Sequence, residues 1–146
     1  MSANEIKNVV LGCLAAAGSF LANQLGGWDA ALKVLVICMA VDYISGMIVA
    51  GVFKKSSKSE TGALESRAGF KGLCRKCFIL VLVWVAVLLD TALGVAYIRT
   101  AVCFFFIANE GLSILENAGL MGVPYPAFLK NMLQALKDKN DAAEKA

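Results

Sequence analysis

The sequence predicts an all-α integral membrane protein with four transmembrane helices, or three in an alternative reading, plus a C-terminal amphipathic helix. Three observations predict it. Residues 78–108 form an almost unbroken apolar run whose only charges are Asp90 and Arg99. Roughly 20 apolar residues cross a bilayer as a helix, so this run is too long for one span and suits two short ones. Apolar residues make up 59% of the chain and charged residues 17%, against about 25% charged in an ordinary soluble domain; the mean hydropathy is +0.70. The basic residues are also clustered. Lys54, Lys55, Lys58, Arg67, Lys71, Arg75 and Lys76, seven of the fourteen Lys and Arg, fall in one segment opposed only by Glu60 and Glu65. A segment of this kind is retained in the cytoplasm, with its cations at the membrane surface near anionic headgroups.

The elements follow in order, as one membrane domain over residues 1–146. The first apolar run, extended to about 6–25, is rich in Ala and Gly; Gly12 and Ala16 stand one helical turn apart and allow close helix packing. A transmembrane helix, an interfacial amphipathic helix and a cleaved signal peptide all compete for it. Residues 23–29 (NQLGGWD) form a turn anchored by Trp28. The second span, about 30–53, carries Asp42, Gly46 and Ala50 at i, i+4 and i+8, a face that points into a bundle. Residues 54–76 form the basic cytoplasmic loop, whose second half can begin a surface helix. The third span, about 78–98, turns at Arg99, which is expected to reach headgroups, and the fourth returns over about 100–117. Pro126 then opens an amphipathic helix over about 126–137, with Phe128, Leu129 and Met132 on its apolar face, followed by a charged tail at 138–146. Four spans put both termini in the cytoplasm; three put the N-terminus outside.

Three acids fall near mid-membrane: Asp42, Asp90 and Glu110. Each costs at least about 2.5–3.5 kcal/mol to insert, so they require protonation, partners or water. Asn109, Ser113 and Glu116 share one stripe of the fourth span, and Glu110 and Asn117 share its neighbour, so this side of the helix avoids lipid. These polar residues either hydrogen-bond helices together or line a pore or subunit seam. With Arg99 and Lys33 as the candidate cations, the three acids cannot all be ion-paired within one chain.

No enzyme is indicated. The chain has no histidine, Gly-rich phosphate loop or Ser-centred elbow. Cys74 and Cys77 have half-zinc-site spacing without a second pair, so neither a metal nor another cofactor is expected. The basic segment lacks the interleaved aromatics of a nucleic-acid surface.

Taken together, Asp42-Tyr43-Ile44-Ser45-Gly46, the stretch SRAGFKGLCRK at 66–76, Asp90, Asn109-Glu110-Gly111-Leu112-Ser113-Ile114-Leu115-Glu116-Asn117 and Gly122-Val123-Pro124-Tyr125-Pro126 resemble the toxin-secretion/phage-lysis holin family over about residues 28–139. The resemblance implies a phage or prophage protein that accumulates in the bacterial cytoplasmic membrane and forms homo-oligomers. At a set time these open lesions through which an endolysin, a functional partner without tight binding, or a large toxin crosses. Two other readings stay open: a small ion- or proton-coupled channel or transporter, and a non-conducting membrane adaptor.

Overall fold

The computed structural model describes residues 2–58 and 61–129 together with Asn131, Met132 and Ala135. Helices α1 (Ala3–Gln24), α2 (Ala30–Ile48), α3 (Ser66–Leu93) and α4 (Ile98–Leu120) make up the fold, and no strand occurs among the described residues. All four are long and apolar enough to cross a membrane, α2 by continuing to Phe53. The protein is a multi-pass membrane protein.

Local chemistry sets the helix ends. Ser2 opens α1 with a capping box: its hydroxyl accepts from the Glu5 amide, and the Glu5 carboxylate accepts from the Ser2 amide. Asp29 caps α2 by accepting from the Leu32 amide at 2.9 Å. Gly26, Gly94 and Gly122 end α1, α3 and α4 with positive φ, and the residue after each donates back to Ala22, Asp90 and Ala118. The end of α2 loosens into one π-helical turn, Val49–Phe53, and stops at Lys54, which adopts a left-handed conformation.

α2 and α4 run parallel, α3 runs antiparallel to both, and α4 packs extensively on each. The faces that meet repeat with alternating three- and four-residue steps. Leu32, Leu35, Met39, Asp42, Gly46 and Val49 form the seam of α2; Lys76, Ile79, Val83, Ala86 and Asp90 that of α3; Arg99, Cys103, Phe106, Glu110, Ser113 and Asn117 that of α4. This is the spacing that keeps one stripe of each helix facing its neighbours. Leu35, Met39, Val83 and Cys103 make the centre of the apolar core. The large side chains off these seams, such as Ile37, Ile44, Trp84, Leu88, Phe104 and Phe105, are exposed. Lipid tails are as apolar as these residues, so apolar burial alone gives helices little reason to associate; packing and buried hydrogen bonds must supply it.

Three expectations are corrected. The helix that the second half of the basic segment can begin is the third span itself: it runs unbroken from Ser66, so Arg67, Lys71, Arg75 and Lys76 lie in its first turns and not in a separate surface helix. Arg99 does not make the turn or reach outward; residues 94–97 make it, and Arg99 is buried in the first turn of α4. Asp90 lies in the last turn of α3, away from the middle. α1 buries none of its residues, and nothing lies within 4 Å of a side chain at Gly12. Of the expected amphipathic helix, residues 127–129, 131, 132 and 135 are helical, with Phe128 and Met132 exposed. The rest of it and the tail at 138–146 lie outside the described residues.

Candidate functional site

Asp42 and Glu110 each stand twelve residues after the start of their helices, at a rise of about 1.5 Å per residue roughly 18 Å from the shared end. Because α2 and α4 run parallel, the two carboxylates lie at matched depth, both buried. Between them comes Lys76 from the antiparallel α3. Its ammonium donates to Asp42 Oδ2 at 2.8 Å and to Glu110 Oε2. The Lys76 side chain is 11% exposed, so the cation is withdrawn from the surface along with its partners. Lys76 is a cation that the sequence reading did not count: it pairs with Asp42 and Glu110 together, while Asp90 makes no ion pair among the described residues.

The remaining valences are also filled. Asn117 Nδ2, one turn past Ser113 on the α4 seam, donates to Ser45 Oγ at 2.8 Å and to Asp42 Oδ1 at 3.2 Å. The Ser45 hydroxyl donates to the Asp42 carbonyl at 3.1 Å. Asn117 packs over Gly46, where a Cβ would stand at ordinary contact distance, 3.7 Å, from its Nδ2. Lys58 reaches over from the connection after α2 to lie 3.6 Å from Asp42 Oδ1. No buried side-chain nitrogen or oxygen is left without a partner among the described residues. Two acids against one buried lysine leave a net negative centre, which the half-exposed Lys58 offsets from the rim.

A cleft of about 200 Å³ opens beside this cluster, lined by Asp42, Gly46, Ala50, Lys76, Glu110 and Ser113 among others. Asn109 is half-buried and Glu116 exposed, so the polar stripe of α4 divides, with Glu110 and Asn117 inside and Glu116 outside. Lys54 and Lys55 are exposed at the end of α2, and Arg67, Lys71 and Arg75 along the first turns of α3.

Asp90 belongs to a second cluster at the opposite end. Its two carboxylate oxygens accept from the amides of Ile98 and Arg99 at 2.9 and 3.0 Å, closing the α3–α4 turn. Arg99 in turn ties that turn to the one before α2. It donates to the Leu25 carbonyl at 2.5 Å, to the Gly27 carbonyl at 3.2 Å, and to both oxygens of Asp29. The guanidinium, and after it the Leu32 amide, hold the Asp29 carboxyl down at about 2. Gly26 makes room for this: a Cβ there would stand 2.6 Å from Arg99 Nε.

The sequence reading placed Lys76 at the surface and assigned no role to Ser45 or Asp29. The signal for Lys76 is the period itself: counting back from Asp90 through Ala86, Val83 and Ile79 lands on it. Among the described residues no group of His, Cys, Asp or Glu is placed to hold a metal ion. What the arrangement can do is hold ionic groups together inside an apolar bundle, stable while packed and strongly hydrophilic if the helices part.

The model of the bacteriophage holin family matches residues 19–138. An uncharacterised protein of Clostridium perfringens is 41% identical over 126 residues, covering 85% of this chain and 87% of that one. An uncharacterised 14.9 kDa protein from the same species is 38% identical over 137 residues, covering 92% and 98%. A probable holin of Bacillus phage phi105 is 35% identical over 111 residues, covering 75% and 76%. No solved structure matches. With most of its length matched, including both ionic clusters, the chain belongs to the bacteriophage holin family.

Proposed function

We propose that the protein oligomerises in the bacterial cytoplasmic membrane, both termini on the cytoplasmic side, and opens lesions that let an endolysin or a large toxin cross, so timing host lysis. Membership of the family supports the general role. The observation that carries the reading further is α1: it is long and apolar enough to span, yet buries no residue within its own chain. A spanning helix without an internal partner is free to pack on another copy, and the Gly12 and Ala16 ridge allows close approach. The Asp42, Lys76 and Glu110 cluster supplies the second ingredient. If crowding among copies separates α2, α3 and α4, these groups and Asn117 face the new seam and draw in water, since hydration is the alternative to their mutual pairing. Membrane potential biases such a step, because moving one charge across it is worth about 2.3 kcal/mol per 100 mV.

The test is inducible expression in a bacterium alongside a folded cytoplasmic muralytic enzyme that has no export signal, following turbidity and enzyme release. Abrupt lysis after a delay, dependent on both proteins, is expected. Loss of potential without enzyme release would mark a small ion channel, and no leak at confirmed membrane expression would mark an adaptor.

A further inference from the structure

We infer that the open-sided cleft between α2 and the start of α3 is a binding site for an anionic phospholipid, with Lys58 and Arg75 on its phosphate and an acyl chain along Met47, Ala50, Leu64 and Ala68. All six residues line this one cleft, whose lining is mainly apolar. The acids at its floor are already committed. Asp42 and Glu110 are both engaged by Lys76, and Glu65 at the mouth accepts from the Thr61 hydroxyl at 2.9 Å. The rim cations are not so committed. Arg75 makes no ion pair among the described residues, and Lys58 pairs with Asp42 at 3.6 Å from a side chain that stays 47% exposed and can turn to a second anion. Arg67 and Lys71, two turns and one turn before Arg75 on the same face of α3, are likewise exposed and add to the positive field. With Lys58 offsetting the acids of the floor, the surplus positive charge at this rim is that of Arg75 with Arg67 and Lys71 behind it, and it calls for an anion.

The apolar half of the cleft decides which anion. Leu64 is 60% and Met47 39% exposed, and they continue the apolar surface of the spans, so a ligand with a chain covers what free phosphate leaves bare. Tyr43 of α2 lies over Gly69 and Gly72 of α3, its hydroxyl and ring 3.6 and 3.7 Å from where a Cβ would stand, so the two helices meet along this wall of the cleft. The site does not depend on whether the protein opens lesions.

The full-length protein, delipidated in a zwitterionic detergent, is titrated with phosphatidylglycerol or phosphatidylcholine of identical chains, and bound lipid is counted by native mass spectrometry. A preference for phosphatidylglycerol of about tenfold is expected from two cations at the phosphate. K58Q/R75Q should abolish the preference, whereas K54Q/K55Q, which removes the same charge from residues outside the cleft, should keep it. Ala68→Leu fills the apolar half while leaving every charge in place and should also abolish it, so the question is decided even if K58Q/R75Q fails to fold. Equal retention of the two lipids overturns the site. Equal effects of the two double variants would reduce it to a general attraction of the basic end. Displacement of phosphatidylglycerol by inorganic phosphate at matched concentration would overturn the choice of a lipid over a free anion.

Discussion

Arg99 holds Asp29 in a two-pronged grip, Nη1 to Oδ2 at 2.6 Å and Nη2 to Oδ1 at 3.1 Å. Residues seventy positions apart thereby join the turn before α2 to the first turn of α4. The same carboxylate caps α2, so one side chain sets a helix start and a tertiary contact together.

Arg99→Met should destabilise the bundle by roughly 2–3 kcal/mol, since it strands the Leu25 and Gly27 carbonyls as well as Asp29. Asp29→Asn should cost less, about 1 kcal/mol, because its half-exposed carboxylate is screened by water. Thermal unfolding in detergent, followed by circular dichroism, measures both.

The grip also predicts a pH dependence. Asp29 is held at about 2 against an ordinary 3.8. A lowered folded-state value means that the contribution is complete above the unfolded value and disappears as pH falls through the folded one. The stability gap between wild type and Asp29→Asn should therefore be constant from pH 8 down to about pH 5, then close progressively between about pH 4 and pH 2.

Gly26 and Gly27 offer a matched comparison. Both have positive φ, but a Cβ at Gly26 would meet Arg99 at 2.6 Å, whereas one at Gly27 meets nothing within 4 Å. Gly27→Ala should cost only the backbone term, about 1–2 kcal/mol. Gly26→Ala should cost measurably more, and in an Arg99→Met background the excess should vanish, a coupling that a double-mutant cycle reads directly.

At the central cluster, Lys76→Met should destabilise by about 3–5 kcal/mol, because it leaves two buried carboxylates facing each other without their cation. Adding Asp42→Asn and Glu110→Gln to Lys76→Met should recover most of that loss. If the triple variant is no more stable than the single, unpaired charge is not the source of the effect.

The three intramembrane acids should separate in function. Asp42→Asn and Glu110→Gln act on the central cluster and should change lysis timing. Asp90→Asn should leave timing closer to wild type, because an amide oxygen can still accept from one of the two α4 amides that Asp90 now holds; Asp90→Ala should lower stability by about 1 kcal/mol as a lost cap does. Lysis curves for the three variants at equal membrane abundance distinguish them. Equal timing shifts for all three would contradict two separate clusters.

Much of this was legible in one dimension. Run length and composition are local properties, and the apolar stretches before Lys54 and after Phe78 have no soluble solution, so the membrane class and the last three spans follow from counting, whereas the short Ala- and Gly-rich first run left three or four spans open. Asp42, Glu110 and Asn117 stood out for the same reason, as groups that lipid cannot solvate. Lys76 did not stand out, because its neighbours Arg75, Lys71 and Arg67 are surface residues and a hydropathy boundary at Phe78 places all four together. Only helical phase separates them: Lys76 shares the seam of Val83, and Arg75 does not.

The sequence by itself determined an all-helical membrane protein with polar groups obliged to turn away from lipid, because the cost of exposing them there exceeds any local preference. The tertiary structure decided which groups meet. α2 and α4 run parallel, so Asp42 and Glu110 arrive at the same depth. α3 runs against them and delivers Lys76 to that level and Asp90 to the far end, where Arg99 closes on Asp29. Charge pairing over such separations depends on which helices become neighbours and at what relative depth, and neither is written in the order of residues along any one helix.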